Sequence, residues 1–375
     1  MICTKNQTHY HQPLTQQQGA TTLIMSVILL VSISLTTLFT ARSSVIALRL
    51  DANEFRAKQA FEAAEAGLNH GLTYVLNNGA DQNNDNAIDT LPGYTFSSGN
   101  GSSYSVTLTD TSSSGDFTQI LVTAVGLSDD GTGRRTLSQE LTLSKTLSLA
   151  PNSALTSHGN VHVQGSANAI TNLETNNTIW SGGNVTFGGA GSTETSSGNC
   201  SALPCSDVNA GSSTGDPALA AISDEAFFQN FFGMSRAQTR ARADLMVSGD
   251  PSDPTAGYNF TNISASVSGV TGAFIWVDGS AQINGGIQIG TPTEPVVMVI
   301  DGNAHLGGNV TIYGLVYISN DWKHGNGNLH IVGAAIIEGD YESAGNPNTR
   351  FDSTVLAATN TIGRMTPVAG SWKDF

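Results

Sequence analysis

The chain has 375 residues, enough for two domains and a large core, yet only 12% of them are Asp, Glu, Lys or Arg, against roughly a quarter in ordinary domains. The formal net charge is -15, with 15 Lys and Arg against 30 Asp and Glu. Because proteins bind phosphate backbones through clustered cations, this acidic balance argues against nucleic acid as a partner.

The first feature along the chain is a polar leader, residues 1–19, which abuts a charge-free apolar run of residues 20–41. About 20 apolar residues cross the hydrocarbon core of a bilayer as one helix. In a secretory signal peptide the apolar region precedes the small-residue cleavage site and is lost with it, whereas here the small-residue junction comes first. Cleavage between Gly19 and Ala20 would therefore leave a protein that begins with its own membrane helix.

The apolar run continues without a proline as far as Asn77-Asn78-Gly79, which supplies a stop signal. We predict one long helix in residues 20–79, lipid-soluble at first and then packed by one face on a globular domain. An ordinary signal-anchor helix is the alternative, but the leader lacks the strongly basic flank that orients such an anchor. The stripe that predicts packing recurs at three- and four-residue steps: Val45, Leu48, Phe55, Phe61, Ala64, Leu68, Leu72 and Val75.

Residues 56–72, RAKQAFEAAEAGLNHGL, closely resemble the segment that follows the membrane helix in PilX-like minor pilins of type IV pili. The resemblance implies that prepilin peptidase cuts between Gly19 and Ala20 and methylates the new amine. It implies a subunit anchored once in the inner membrane with a periplasmic head, and later a place at the tip of the surface pilus. The implied partners are other minor pilins, the major pilin, the inner-membrane assembly machinery and a tip adhesin.

The fifth residue after this junction is Ile24, where major pilins usually carry glutamate. A carboxylate within the membrane is costly unless paired, so it binds the N-terminal ammonium of an adjacent subunit. A subunit with isoleucine cannot offer that contact to a subunit above it, although it can be first in a fibre. PilX-like pilins and the related tip pseudopilin of type II secretion commonly lack this glutamate, so both classes remain open.

A calcium-loop pattern follows the helix in DQNNDNAID, with oxygen ligands at alternating positions. Asn86 stands where the turn glycine is usual, and Pro92 stands where a bidentate glutamate would complete the shell. A solvated turn is the alternative to a Ca²⁺ site. The candidate ligands are Asp81, Asn83, Asp85 and Asp89.

Three alternating segments, residues 104–110, 117–127 and 134–145, predict an antiparallel meander in a small domain of residues 80–150. A long helix packed on such a sheet makes the fold class α+β and pilin-like. Beyond residue 150, short strands closed by G-N, D-G or G-G recur through residues 151–375. They predict a β-rich domain, an irregular β-helix or solenoid, with a β-sandwich as the alternative.

One helical insertion, about residues 216–247, interrupts this domain and holds the densest aromatic cluster of the chain. We expect the helix to cap the end of the strand stack, with a docking face for a neighbouring subunit as the other interpretation. The cluster consists of Phe227, Phe228, Phe231 and Phe232.

Of the three cysteines, Cys200 and Cys205 form a C-x4-C pair in a loop. With no second pair and no nearby histidine, a short disulfide in an oxidising compartment is favoured over a zinc site.

Catalysis is not expected, because the acids of the C-terminal region mostly follow strands in turns and the histidines are scattered. The alternative from another class is a membrane-anchored β-helix protein that acts on carbohydrate. That alternative requires a cluster of carboxylates on one face of the stack.

Overall fold

The computed structural model describes residues 18–79, 87–91, 94–95, 101–112, 117–165, 169–196, 198–200, 212–251, 259–324 and 327–375. Its first element is helix α1, Gln18–Asn78, 61 residues without a break. Gly79 follows in the left-handed conformation (φ 77°), and its N–H binds the carbonyl oxygen of Val75 at 2.9 Å. This is a common way for a helix to end, and the predicted long helix is confirmed.

An antiparallel sheet follows α1, in the strand order β1-β2-β3-β4. The burial of β3 alternates, so one face of that strand packs under the helix and the other remains partly exposed. The predicted helix and meander are therefore present, as expected for a pilin-like α+β fold. The strands are Tyr94–Thr95 (β1), Ser103–Asp110 (β2), Gln119–Leu127 (β3) and Arg134–Lys145 (β4).

The first part of the large β-rich domain consists of short strands: Leu155–Ser157 (β5), Val161–Gly165 (β6), Ile170–Asn172 (β7), Ile179–Ser181 (β8), Val185–Gly189 (β9), Thr193–Thr195 (β10), Gly198–Cys200 (β11) and Ser212–Ser213 (β12). Three short helices come next: Pro217–Ala220 (α2), Asp224–Phe232 (α3) and Arg236–Arg240 (α4).

The second part of the domain contains Leu245–Ser248 (β13), Thr261–Asn262 (β14), helix Ser264–Val267 (α5), Phe274–Asp278 (β15), Ala281–Ile283 (β16), Gln288–Ile289 (β17), Val296–Asp301 (β18), Ala304–Leu306 (β19), Val310–Ile318 (β20), Trp322–His324 (β21), Leu329–Ile337 (β22), Tyr341–Glu342 (β23) and Asn348–Phe351 (β24). The chain ends with helix Ser353–Ala358 (α6), a 3-10 turn Thr359–Thr361, and strands Gly363–Pro367 (β25) and Lys373–Asp374 (β26).

The chain returns to the first sheet at its end, because β25 and β26 both pair antiparallel with β4. The β-rich domain is thus an insertion between two strands of the pilin-like sheet. The predicted division into residues 80–150 and 151–375 was wrong on this point. The final strands are short and polar, and Gly363 pairs with Lys145 far back along the chain, so no local pattern reveals them.

The inserted domain contains a 13-stranded and a 7-stranded sheet. Among the described strands of these sheets every pairing is parallel except that of β10 with β11, which is unlike an antiparallel sandwich. Spatial order departs from chain order. Strands β13, β15, β18, β20 and β22 follow one another, and β22 then pairs with β5, through Ala335 and Leu155. The last strands of the domain therefore lie beside its first.

Polar side chains join successive layers at one corner of the stack. The Oδ1 atom of Asn303 accepts from the Asp321 N–H at 3.0 Å, and that of Asp321 accepts from the Asp340 N–H at 2.9 Å. The Oδ1 atom of Asp340 accepts from the Asn160 N–H at 2.7 Å, and that of Asn160 from the Asn184 N–H at 3.0 Å. The series continues across the junction between the last and the first layers, so it helps to hold these layers together.

The predicted helical insertion is three short helices, and Leu245–Ser248 is a strand of the sheet rather than part of a helix. Nor does the insertion cap the end of the stack. Phe228 packs against Trp276 of β15 and Tyr317 of β20, with ring centroids 6.2 and 5.1 Å apart. Helix α3 therefore lies across the outer face of the 13-stranded sheet, while the chain passes from one end of the stack to the other.

The four phenylalanines of α3 are at most 4% exposed. The interpretation of this cluster as a docking face is thus wrong, because its rings already fill the interface between the helix and the sheet. The residues concerned are Phe227, Phe228, Phe231 and Phe232.

Candidate assembly surface

The N-terminal part of α1 is an apolar surface that the head leaves uncovered. Its large apolar side chains from Leu23 to Phe55 are between 48% and 73% exposed. Within the described chain, α1 is the helix long and apolar enough to cross a membrane. Its first part, residues 20–41, is charge-free and needs lipid or the apolar faces of other helices around it.

Several hydroxyl groups in this segment donate to carbonyl oxygens of the helix itself. Ser32 donates to the carbonyl oxygen of Ile28 at 2.8 Å, and Thr40 donates to that of Thr36 at 2.8 Å. Bonds of this type remove the cost of placing a hydroxyl in hydrocarbon. The polar side chains of the apolar run are therefore compatible with a membrane.

The C-terminal part of α1 packs on the antiparallel sheet through small residues. Ala60, Ala63 and Ala64 are at most 1% exposed, and Leu68 and Val75 at most 3%. The packed face begins near residue 59, later than the predicted stripe. The first residues of the predicted stripe do not pack on the sheet. Val45, Leu48 and Phe55 are 48%, 68% and 60% exposed, so they belong to the uncovered surface.

Polar contacts attach α1 to the head at both ends of this interface. Near its start, Arg56 Nε lies 2.6 Å from a carboxylate oxygen of Asp130. The pKa of Asp130 is well below its usual range, chiefly because the Thr132 N–H donates a hydrogen bond to its carboxylate. The hydroxyls of Thr132 and Ser128 also donate to this carboxylate, and the charge of Arg56 lowers the pKa further. Near its end, the Tyr74 hydroxyl donates to Asp89 at 2.8 Å.

Ile24 lies in the uncovered surface and is 58% exposed. Residues 20–41 contain no carboxylate that could replace the missing glutamate. Gly19 lies within the helix near its start, and residues 1–17 lie outside the described chain. Cleavage between Gly19 and Ala20 stays a prediction.

The calcium and disulfide predictions fall largely outside the described residues. Asp81, Asn83 and Asp85 are not described, while Asp89 is bound by Tyr74 and connects its loop to α1. Cys200 ends β11, and Cys205 is not described. Both sites therefore stay predictions. In the described part of the chain, no three His, Cys, Asp or Glu side chains are grouped to hold a metal ion.

An arginine–carboxylate network, which the sequence did not reveal, holds the helices against the 13-stranded sheet. Asp278 and Asp301 are in register on β15 and β18. Arg240 of α4 binds both carboxylate oxygens of Asp278, at 2.7 and 2.5 Å. Arg236 binds Glu338 and lies 3.6 Å from Asp301. The one sequence signal that could have indicated this contact is the i,i+4 spacing of Arg236 and Arg240 in a chain poor in cations.

Glu338 is the buried centre of this network, with its side chain 3% exposed. Burial raises the pKa of Glu338 to about 7, although hydrogen bonds from Tyr317 and the charge of Arg236 act in the opposite direction. The pKa of Tyr317 is raised as well, first by burial and then by the neighbouring carboxylate. Because helices cover these groups and arginines bind the carboxylates, the network has the character of a structural clamp.

The sequence of residues 18–69 matches the family model of the PilX N-terminal region. This segment is therefore similar to the N-terminal region of PilX. It contains the uncovered apolar surface, Ile24, and the first turns that pack on the head. The resemblance to PilX-like minor pilins is confirmed over these residues, and the small sheet and the large inserted domain lie beyond them.

Two further comparisons complete the picture. The competence-associated pilin ComZ from Thermus thermophilus, a solved structure, matches at 12% identity over 85% of this chain and 98% of that chain. Its TM-score is 0.28, too low to support an argument about fold or function. No curated protein matches the sequence.

Proposed function

We propose that the protein is a minor pilin that takes part in initiating type IV pilus assembly and sits at or near the fibre tip. The observation that carries the proposal is the unbroken helix α1, whose residues 20–55 project as an uncovered apolar surface from a folded head. In the inner membrane the charge-free part of this surface, residues 20–41, faces lipid, with the head in the periplasm. In the fibre it packs against the helices of other minor pilins and of the major pilin.

The tip position follows from Ile24. In a subunit with glutamate at this place, the carboxylate pairs with the N-terminal ammonium of a neighbour and fixes the axial register. Isoleucine cannot make that pair, so this subunit does not offer the register contact to a subunit above it. It retains its apolar packing to the subunits below. The first subunit of a fibre has no subunit above it, so it needs only the apolar packing to the subunits below.

The inserted domain makes the head unusually large, and we infer that its parallel strands form an irregular β-helix. The support is the parallel register between successive layers, as in Val277, Ile300, Ile318 and Ile337. A bulky insertion on the head suits a terminal subunit, because the same insertion in a shaft subunit would have to fit between neighbouring heads. The domain is then free to support adhesion, directly or with a tip adhesin.

We infer a binding or structural role for this domain rather than catalysis. The carboxylates of Asp278, Asp301 and Glu338 are bound by Arg236 and Arg240 of α4. Acid–base chemistry on a sugar needs two carboxyl groups that face the substrate. Here the arginines occupy that side of the carboxylates.

Immunogold labelling of native pili with antibodies against the inserted domain tests the proposal. The expected result is label at fibre ends, together with a strong loss of pili when the chain is deleted. Label spaced along the shaft would overturn the tip position. Normal pilus number after deletion would overturn the role in initiation.

A further inference from the structure

The outer face of the 7-stranded sheet presents polar side chains in one continuous column. The strands follow the order β14-β16-β19-β21-β23-β6-β9, all parallel. On β16, β19 and β6 the residues on either side of the column, such as Ala281 and Ile283 beside Gln282, are fully buried, so the column faces outwards. Its members are exposed or half-exposed, and they are in register as Asn262, Gln282, His305, Lys323, Glu342 and His162.

This face differs from the part of the 13-stranded sheet around Trp276 and Tyr317, which helices cover. There Phe228 packs on Trp276 and Tyr317, and α4 binds the carboxylates at the strand ends. On the 7-stranded sheet the corresponding column is uncovered along the described strands. With strands about 4.8 Å apart, its six members extend over about 24 Å.

The column carries hydrogen-bonding groups but little net charge. Lys323 and Glu342 form an ion pair at 2.5 Å and neutralise each other. Burial lowers the pKa of His305, so its imidazole is uncharged at neutral pH. Asn262 and Gln282 contribute neutral amides. In a chain of net charge -15, a neutral face matches an uncharged ligand better than a polyanion or a polycation.

An aromatic pair lies beside the column. The rings of Phe260 and His305 have centroids 5.4 Å apart, and both residues are half-exposed. Sugar rings have an apolar face that stacks on aromatic rings, and hydroxyls that both donate and accept hydrogen bonds. Amide, imidazole and aromatic groups repeated at a constant spacing therefore suit a chain of sugars lying across the strands.

We propose that this column is the binding surface for a neutral polysaccharide. The inference deepens the proposed function, since it rests on a head displayed at the cell surface. It assigns the adhesive ligand to a chemical class and places the binding surface on Gln282, His305 and their neighbours in register.

The test uses the full-length protein in detergent and immobilised cellulose, amylose and dextran, with alginate as the anionic comparison. We expect retention on at least one neutral polymer, with little dependence on salt, and weaker retention on alginate. Retention on alginate alone, lost at high salt, would overturn the proposal, because it would show ionic binding. Absence of retention on every neutral polymer would overturn it as well.

A matched pair of double variants locates the surface. Gln282→Ala with His305→Ala removes two neighbours of the column, and Gln288→Ala with His330→Ala removes the same residue types from the other sheet, where both are exposed. The first pair should weaken binding about tenfold or more, a change of about 1.4 kcal/mol, and the second should not. Equal losses would overturn the assignment of the surface, provided that both variants show native thermal unfolding.

Pilus number and tip labelling separate this inference from the proposed function. If the first double variant gives normal fibres with labelled tips, and the native protein does not bind neutral polysaccharide, the ligand proposal alone fails. If native cells carry the label along the shaft, the proposed function fails, whatever the binding assay shows.

Discussion

Gly126 of β3 lies directly against the backbone of Ala60 in α1. A Cβ atom at Gly126 would come within 2.1 Å of the Ala60 carbonyl oxygen and 2.3 Å of the Ala64 nitrogen. Glycine is therefore what allows the helix to lie on the strand at this point. The position of the projecting surface relative to the head depends on this contact.

Gly126→Ala should separate α1 from the sheet, because the new methyl group meets backbone atoms that cannot move aside independently. We expect the free energy of unfolding to fall by about 3 kcal/mol in chemical denaturation of the full chain in detergent. Gly286→Ala is the control, since a Cβ there has nothing within 4 Å. Equal stabilities of the two variants would contradict the close packing.

Ile24→Glu should move the subunit from the fibre end into the shaft. The added carboxylate supplies the partner for a neighbour's ammonium and so permits another subunit above it. Immunogold label should then appear along the fibres. Ile24→Gln, which is polar but has no charge, should leave the label at the ends; if both variants behave alike, charge pairing is not the reason for the tip position.

Phe228→Ala and Phe55→Ala should have opposite consequences. Phe228 is fully buried between α3 and the sheet, so its truncation should cost about 3–5 kcal/mol of head stability. Phe55 is 60% exposed on α1, so its truncation should change stability by less than about 0.5 kcal/mol but lower the number of pili. Denaturation and pilus counts on both variants check this, and a stability loss with Phe55→Ala would contradict the uncovered surface.

The contribution of Glu338 to the stability of the head should decrease as the pH rises from 5 to 8. The pKa of Glu338 is about 7 in the folded chain against an ordinary 4.5, so the folded state binds this proton more tightly than the unfolded state. The stabilisation is full below pH about 4.5 and is lost as the pH rises through 7. The contribution is about 3 kcal/mol at most.

Glu338→Gln should flatten this dependence, because a group that cannot titrate contributes no slope. Urea denaturation at several pH values between 5 and 8 measures it. The control is Glu342→Gln, which replaces an exposed carboxylate on the other sheet and should keep the native slope. A native slope in Glu338→Gln would assign the pH dependence to another group.

The long helix, the meander and the similarity to the PilX N-terminal region were accessible from the sequence because their signals are local. Apolar spacing, the stop at Gly79 and alternation in β3 each extend over a few neighbouring residues. The repeated turns also predicted a β-rich domain. In each case the residues that form the element are adjacent in the chain.

The remainder depended on contacts between distant residues. The pairing of β25 with β4, the parallel contact of β22 with β5, and the arginines that bind Asp278 and Glu338 all join remote segments. The phenylalanines of α3 show the same limit, since an amphipathic helix looks alike whether its apolar face meets its own sheet or a neighbouring subunit. The burial of the phenylalanine side chains distinguishes these two cases, and it can be measured only in the folded chain.

If this chain is processed as a pilin, its N-terminus must show the cleavage. We would determine the N-terminal sequence and intact mass of the protein from native membranes, with and without active prepilin peptidase. We expect a chain that starts at a methylated Ala20 only when the peptidase is active. A chain that keeps Met1 to Gly19 in both strains would contradict it and would favour an anchored protein outside the pilus.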